Sequence, residues 1–129
     1  MYCIDTSVII DVLRGDKILG AKIDDFISAG LNVFVTSITL SELYRGAYGH
    51  VNSDKKIQEV KSFVSSFDFL DFDEKSCEEF GKMYFKLKKS GKIISDFDLM
   101  IAAIVKSKNL ILITRDKDFD KTGIKVKVL

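Results

Sequence analysis

The sequence has no long hydrophobic run and no basic leader. No apolar stretch of the 129-residue chain approaches the roughly 20 residues that a membrane-spanning helix needs. The N-terminal segment, residues 1–10, has an acid at position 5 and no basic residue ahead of its apolar stretch, so we expect no signal peptide. These absences predict a cytoplasmic protein that does not associate with membranes.

Cysteine and histidine are scarce, which disfavours disulfides and zinc. The two cysteines, Cys3 and Cys77, lie in a strand-like and a helical apolar segment, and we expect two buried free thiols in a reducing compartment. The single histidine, His50, lies in a polar loop and is expected at the surface. It forms no ligand set with the cysteines, so a zinc site is not predicted.

The chain also lacks a strong charge of either sign. Its net charge is +1, whereas domains that bind nucleic acids often carry a large basic excess. A protein that binds phosphate through a metal ion does not need that excess. The hydrophobic fraction of 47% and the charged fraction of 30% are those of a globular protein, and the length predicts one domain over residues 1–129.

Strand-like and helix-like segments alternate along the whole chain. The segment 110–114 is apolar without alternation, as in a central parallel strand that is buried on both faces, whereas 124–128 alternates like an edge strand. The pattern predicts an α/β fold with a mostly parallel sheet of four or five strands and helices on both faces. The predicted strands are 2–4, 32–36, 69–72, 110–114 and 124–128, and the predicted helices include 18–29, 38–48, 54–67, one opening at Asp73 and one at Ser95 or Asp96.

Four acids lie at or near the expected carboxyl ends of these strands. Asp5 follows the first strand, Glu42 lies in the helix after the second, and Asp116 follows the 110–114 strand. Asp98, in the first turn of a helix, can reach the same edge. Because sites in open parallel sheets form beyond the carboxyl ends of the strands, we expect these carboxylates to converge.

Each acid alone has a simpler explanation in local structure. Asp5 is a candidate helix cap, and Asp116 is a candidate for an Asx-turn. The segments 39–42 and 95–98 both resemble a capping box, in which an acid reaches back to the first turn. As a group, however, converging carboxylates repel one another unless a cation neutralises them, and Mg²⁺ or Mn²⁺ prefers such oxygen ligands.

Four segments of the chain resemble the PIN-domain nucleases, and in particular the VapC toxins of prokaryotic toxin–antitoxin pairs. They occur in the family's order and spacing and span nearly the whole chain. They are Ile4-Asp5-Thr6-Ser7-Val8-Ile9-Ile10, Ser41-Glu42-Leu43-Tyr44-Arg45-Gly46, Ser95-Asp96-Phe97-Asp98-Leu99-Met100-Ile101-Ala102-Ala103 and Thr114-Arg115-Asp116-Lys117-Asp118-Phe119.

The resemblance implies a dimeric, Mg²⁺- or Mn²⁺-dependent endoribonuclease with a small antitoxin as partner. By motif, Asp5 and Asp98 are the principal metal ligands, and Glu42 and Asp116 complete the acidic cluster. A metal-activated water would displace the 3′-oxygen and leave a 5′-phosphate. Asp96 and Asp118 are further candidate ligands, against plainer roles as a helix N-cap and a turn residue.

Other polar residues are candidates for contacting RNA. The hydroxyls can bind phosphate or orient a ligand, arginine suits bidentate phosphate contact, and the lysine-rich segment 86–92 is either a solvated helix end or a further phosphate contact. Exposed members of the phenylalanine-rich middle would mark a dimer face or an antitoxin groove. The candidate substrate-binding residues are Thr6, Ser7, Arg14, Arg45, Thr114 and Arg115.

Three other interpretations remain open from the sequence. A phosphoacceptor domain of the receiver type would need an acid pair after the first strand and a lysine after a later one, and here Arg115 and Asp116 follow Thr114 instead. A non-catalytic module that binds RNA or protein would have lost acids that this chain retains. A housekeeping RNA-processing nuclease without an antitoxin would have the same site.

Overall fold

Five short strands form one parallel sheet. The computed structural model describes residues 1–129. The strands are β1 (Tyr2–Ile4), β2 (Val33–Thr36), β3 (Asp68–Leu70), β4 (Ile111–Thr114) and β5 (Lys125–Val128). Their order is β3-β2-β1-β4-β5, and every adjacent pair is parallel. The predicted α/β class is confirmed, and the sheet is wholly rather than mostly parallel.

Helices cover both faces of the sheet, as predicted. Four helices pack on one face and the remaining helical segments on the other, and each layer has its own apolar cluster. No helix is long and apolar enough to cross a membrane. The first face carries α1 (Thr6–Leu13), α2 (Lys17–Ser28), α3 (Ser37–Tyr48) and α4 (Ser53–Val64), and the second carries α5 (Glu74–Lys89), α6 (Asp96–Ser107) and a 3₁₀ helix (Lys117–Thr122).

The two central strands supply both apolar layers. Because successive side chains of a strand point to opposite faces, Ile4 and Ile113 join the first cluster while Cys3 and Leu112 join the second. All four are fully buried. The middle of α6, residues 101–105, is also fully buried, so this helix is held tightly against β4 and its first turn has a fixed position above the sheet.

The predicted boundaries were wrong at the transition from α4 to β3. The helix ends at Val64, not at 67, and the strand covers Asp68–Leu70, not 69–72. Phe67 closes a turn by donating its N–H to the carbonyl of Val64 at 3.1 Å, and its side chain is buried. Strand β3 pairs only with β2, and the two strands end together because Thr36, the last residue of β2, pairs with Leu70.

The local environment of three residues also differs from expectation. Helix α3 is capped by Thr36, whose side chain accepts the N–H of Thr39, so the capping box expected at 39–42 does not form. Ser95 is the N-cap of α6, as in the capping box predicted at 95–98, so the alternative role of Asp96 as N-cap is not observed. Cys77 is exposed rather than buried because it faces away from the core on α5, although both cysteines are free as predicted.

Candidate functional site

The neighbouring ends of β1 and β4 hold the centre of the predicted acidic site. Asp5 follows β1 directly and extends the ladder by donating its N–H to the carbonyl of Ile113 at 2.9 Å. Thr114, the last residue of β4, is therefore a neighbour of Asp5 across the sheet. Asp116 lies two residues beyond it. The parallel pairing of the two central strands thus brings two of the predicted acids to the same edge.

Asp5 is buried with only one of its carboxylate oxygens satisfied. The side chain is 3% exposed, and Oδ2 accepts hydrogen bonds from the hydroxyls of Ser7 and Thr114, each at 2.7 Å. Oδ1 has no hydrogen-bond partner. Burial raises the pKa of Asp5 above its usual range, although the two hydroxyls oppose the rise. Because a buried oxygen without a hydrogen-bond partner destabilises the folded state, we expect this atom to bind a ligand.

Glu42 approaches from α3 and is held by a hydroxyl from α1. Thr6 donates to Oε1 of Glu42 at 2.8 Å, and the Thr6 hydroxyl also lies 2.9 Å from that of Thr39. Partial burial raises the pKa of Glu42, and the negative charge of Asp5 raises it further, while Thr6 and Arg45 lower it. The effect of the Asp5 charge on the pKa of Glu42 indicates that the two carboxylates lie near each other.

Asp98 enters the site from the first turn of α6. Its N–H donates to the hydroxyl of the N-cap Ser95 at 3.2 Å, which fixes this turn. Burial raises the pKa of Asp98 to about 6, opposed by Ser95 and reinforced by the charges of Asp5, Glu42 and Asp116. All four predicted acids therefore belong to one electrostatic cluster.

Asp116 has the Asx-turn expected from the sequence and also belongs to the cluster. Its Oδ1 accepts the N–H of Asp118 at 2.9 Å, which caps the 3₁₀ helix. Its own N–H donates to the hydroxyl of Thr114 at 3.0 Å. Thr114 therefore contacts Asp5 with its proton and Asp116 with its lone pair. Asp116 can therefore form the local Asx-turn and also belong to the acidic cluster.

The outer candidates have more exposed or more occupied positions. Asp96 is exposed on the first turn of α6, and Asp118 is exposed and pairs with Lys121 at 3.1 Å. Arg45 lies 5.0 Å from the ring of Phe97, beside Glu42. Arg14 lines a cleft of about 370 Å³ that also includes Glu42.

Arg115 is engaged within the protein. Its guanidinium lies 2.9 Å from Asp11 and 3.1 Å from Asp16, and these ion pairs connect the loop after β4 to α1 and α2. Its backbone N–H donates to the hydroxyl of Ser7 at 3.2 Å. Asp11 and Asp16 were not anticipated from the sequence, and neither were the buried hydroxyls of Thr36 and Thr39 behind Glu42. The three-residue spacing of those two threonines, typical of a capped helix, was the available signal.

Oxygen donors of this kind fit a hard divalent cation. As the side chains stand, no three acidic, histidine or cysteine side chains lie close enough together to hold a metal ion. The unpaired Oδ1 of Asp5 and the raised pKa values around it are what a bound cation would relieve. The donor set suits Mg²⁺ or Mn²⁺ rather than zinc.

Comparison with known proteins defines the family. The PIN-domain family model matches residues 2–125. Ribonuclease VapC3 of Methanocaldococcus jannaschii is 42% identical over 78% of this chain and 94% of its own. Ribonuclease VapC2 of Haemophilus influenzae is 31% identical over 93% of this chain and 90% of its own. The chain therefore belongs to the PIN-domain family, among its VapC-type ribonucleases.

The solved structures agree with this assignment. The structure of VapBC-1 from nontypeable Haemophilus influenzae superposes with a TM-score of 0.86 at 29% identity, covering 98% of this chain and 96% of that one. The resemblance to the family that the four sequence segments carried is thus confirmed, as is the PIN-like fold. The receiver-type interpretation is excluded by the same match.

Proposed function

We propose that this protein is a metal-dependent endoribonuclease that acts as the toxin of a toxin–antitoxin pair in the cytoplasm. The observation that carries the proposal is the buried Asp5, half satisfied by hydroxyls and surrounded by three further acids. The retention of these acids argues against a non-catalytic module. The ribonuclease names of its relatives support RNA as the substrate class.

Asp5 and Asp98 would be the principal ligands of Mg²⁺ or Mn²⁺, with Glu42 and Asp116 completing the cluster. A bound cation of this kind supplies charge neutralisation at a phosphate and Lewis-acid activation of water. Ser7 and Thr114 fix Oδ2 of Asp5 and so orient Oδ1 toward the site. We keep Asp96 and Asp118 as candidate outer ligands.

The other hydroxyl and cationic residues would position the substrate. Thr6 holds Glu42, so its contribution to RNA binding would act through that carboxylate. Arg45, beside Glu42, is placed to contact a phosphate at the edge of the acidic cluster. Arg14 lines the adjacent cleft. Arg115 would contact RNA only by exchanging its present ion pairs for a phosphate.

Site-directed variants test the enzyme assignment. Asp5→Asn and Asp98→Asn should each abolish Mg²⁺-dependent RNA cleavage and weaken Mn²⁺ binding measured by calorimetry. Asp24→Asn, which changes an exposed acid on α2, is the matched control and should change neither. Circular dichroism verifies that each variant is folded. Wild-type cleavage and Mn²⁺ affinity in both site variants would refute the assignment of the site.

We propose a small antitoxin as protein partner and a homodimer as the active assembly. The solved VapBC-1 complex, at 29% identity, supports a VapB-type partner. Expression of this chain should arrest growth, and co-expression of a small protein encoded beside it should restore growth. Normal growth with an active nuclease would instead favour a housekeeping RNA-processing enzyme. Light scattering tests the dimer.

A further inference from the structure

The C-terminal part of α5 and the turn after it carry an unbalanced positive charge. Between Phe80 and Ser95 there are five lysines and no acidic residue, so the net charge of +1 for the whole chain conceals a strongly basic region. Lys82 is paired with Glu78 at 3.3 Å. The remaining four lysines of this region are exposed and form no salt bridge with any acid; they are Lys86, Lys88, Lys89 and Lys92.

Aromatic side chains are exposed among these lysines. Helix α5 turns Met83 and Leu87 into the core, and this leaves Tyr84 and Phe85 on the outside. Phe85 is 59% exposed, and the ammonium of Lys89 lies 4.8 Å from the centre of its ring. The basic-aromatic surface is defined here as Tyr84, Phe85, Lys86, Lys88, Lys89 and Lys92.

This surface lies beside the start of α6, the helix that carries Asp98. A cleft of about 340 Å³ extends from Tyr84, Lys88 and Lys92 to Leu99, the residue after Asp98. On the far side, the ammonium of Lys121 lies 3.4 Å from the carbonyl of Ile93 and 3.1 Å from Asp118. The turn after α5 is thus connected both to the first turn of α6 and to the 3₁₀ helix that Asp116 caps.

A helix end alone does not account for this density of charge. Cations favour the last turn of a helix, but like charges three and four residues apart repel one another. Lys86 and Lys89 have that spacing within α5, Lys88 lies between them in the chain, Lys92 follows in the turn after the helix, and no acid offsets them. A second copy of the chain is a poor occupant, because a two-fold contact would place these lysines against their own copies. A polyanion removes the repulsion.

We propose that the basic-aromatic surface binds single-stranded RNA next to the scissile phosphate. This inference rests on the proposed ribonuclease activity and deepens it. Unpaired lysines contact successive phosphates, and exposed rings give unpaired bases a surface for stacking, which together form a sequence-tolerant platform for single strands. The surface thus supplies the electrostatic attraction for RNA that the acidic cluster cannot.

The binding experiment uses Asp98→Asn protein in Mg²⁺, so that RNA is bound without being cleaved. The probe is a fluorescein-labelled, unstructured RNA of about 20 nucleotides, longer than most single-strand sites. Each lost phosphate contact should lower affinity about fivefold at 0.1 M salt and reduce the salt slope by about 0.7. Lys88→Gln with Lys92→Gln should therefore weaken binding about 25-fold. Phe85→Leu should weaken it roughly tenfold by removing a stacking surface.

The matched control is the pair Lys55→Gln and Lys61→Gln on α4. Both lysines are exposed and unpaired, and α4 packs on the opposite face of the sheet. The control has the same change in net charge as the Lys88 and Lys92 pair. Because its lysines lie on the other face, it should retain most of the affinity for RNA. In the active protein, the Lys88 and Lys92 substitutions should raise KM for long RNA and leave kcat unchanged. Cleavage of oligonucleotides of about four nucleotides should also be unchanged.

The outcomes separate this proposal from the proposed function. If the wild type cleaves RNA and the lysine variants bind it as tightly as the control, the surface assignment is wrong and the nuclease assignment stands. If the wild type does not cleave RNA and the Asp98→Asn protein does not bind it, both proposals fail. If the substitutions change the molecular mass in light scattering while RNA affinity is retained, the surface is a contact between copies, and the RNA assignment is overturned.

Discussion

Neutralising Asp98 should stabilise the metal-free protein, even though it removes a proposed ligand. Burial desolvates this carboxylate and three other acids crowd it, so its pKa is raised from 3.8 to about 6. A folded state that raises the pKa of an acid binds its proton more tightly than the unfolded chain does. The charged form therefore lowers the free energy of unfolding, fully above pH about 6 and not at all below about 4.

The size of this effect follows from the shift in pKa. About two pH units correspond to roughly 3 kcal/mol at about 1.4 kcal/mol each. The side chain is partly exposed, and solvent screening reduces the figure to about 1–2 kcal/mol. Asp98→Asn in EDTA at pH 7.5 should therefore raise the free energy of unfolding by that amount, or the melting temperature by about 3–6 °C.

Urea and thermal unfolding across pH 4 to 8 measure the difference between the two proteins. The increase in the free energy of unfolding caused by Asp98→Asn should shrink as the pH falls from about 6 to about 4, where wild-type Asp98 is itself neutral. Saturating Mg²⁺ should stabilise the wild type and have a smaller effect on the variant. Asp96→Asn is the control, because this exposed acid at the start of the same helix supports the helix dipole, and its neutralisation should not stabilise the metal-free protein. An Asp98→Asn variant that is destabilised or unchanged at pH 7.5 would refute the argument from burial and charge crowding.

Three further perturbations test the surroundings of the site. Thr114→Val removes one of the two hydroxyls that donate to Oδ2 of buried Asp5, and it should lower the free energy of unfolding by about 1–3 kcal/mol in urea titrations; a variant as stable as the wild type would mean that Ser7 alone satisfies this oxygen. Phe119→Ala empties a fully buried position in the 3₁₀ helix and should cost about 3–5 kcal/mol, with a loss of near-ultraviolet circular dichroism as a second readout. Hydrogen bonds from Lys108 and Ser76 hold the pKa of Asp73 well below its usual range, so stability from this acid is present at neutral pH and is lost as the pH falls below about 4. Asp73→Asn should flatten that part of the stability–pH curve, and an unaltered acid limb would contradict the assignment.

The sequence contained enough local information to predict the fold and the membership of the acidic cluster. The unbroken apolar segment of β4 and the alternating β5 placed a central and an edge strand correctly, because burial on two faces or one imposes those patterns. Three of the acids were recognisable because they follow a strand or lie in the first turn of a helix, and Glu42 because it lies in the helix directly after a strand. These sequence patterns depend on residues that are neighbours in the chain, and the strands and helices of the structure agree with them.

What could not be predicted depends on contacts between distant residues. Thr6 meets Glu42 across 36 positions, and Arg115 meets Asp11 across 104. Nothing in the local pattern around Arg115 distinguishes an ion pair inside the protein from a contact with phosphate. The exposure of Cys77 depends on the rotation of α5 against the sheet, and the end of β3 depends on the length of β2. Each is set by tertiary packing.

The strand order has a consequence for synthesis of the chain. β1 is made first, yet its partner β4 lies near the far end, and the hydrogen bond between Thr114 and Asp5 spans 109 positions. Contacts of such long range form late in folding. A nascent chain on the ribosome therefore carries Asp5 and Glu42 without a site, and the acidic cluster assembles only after β4 has emerged.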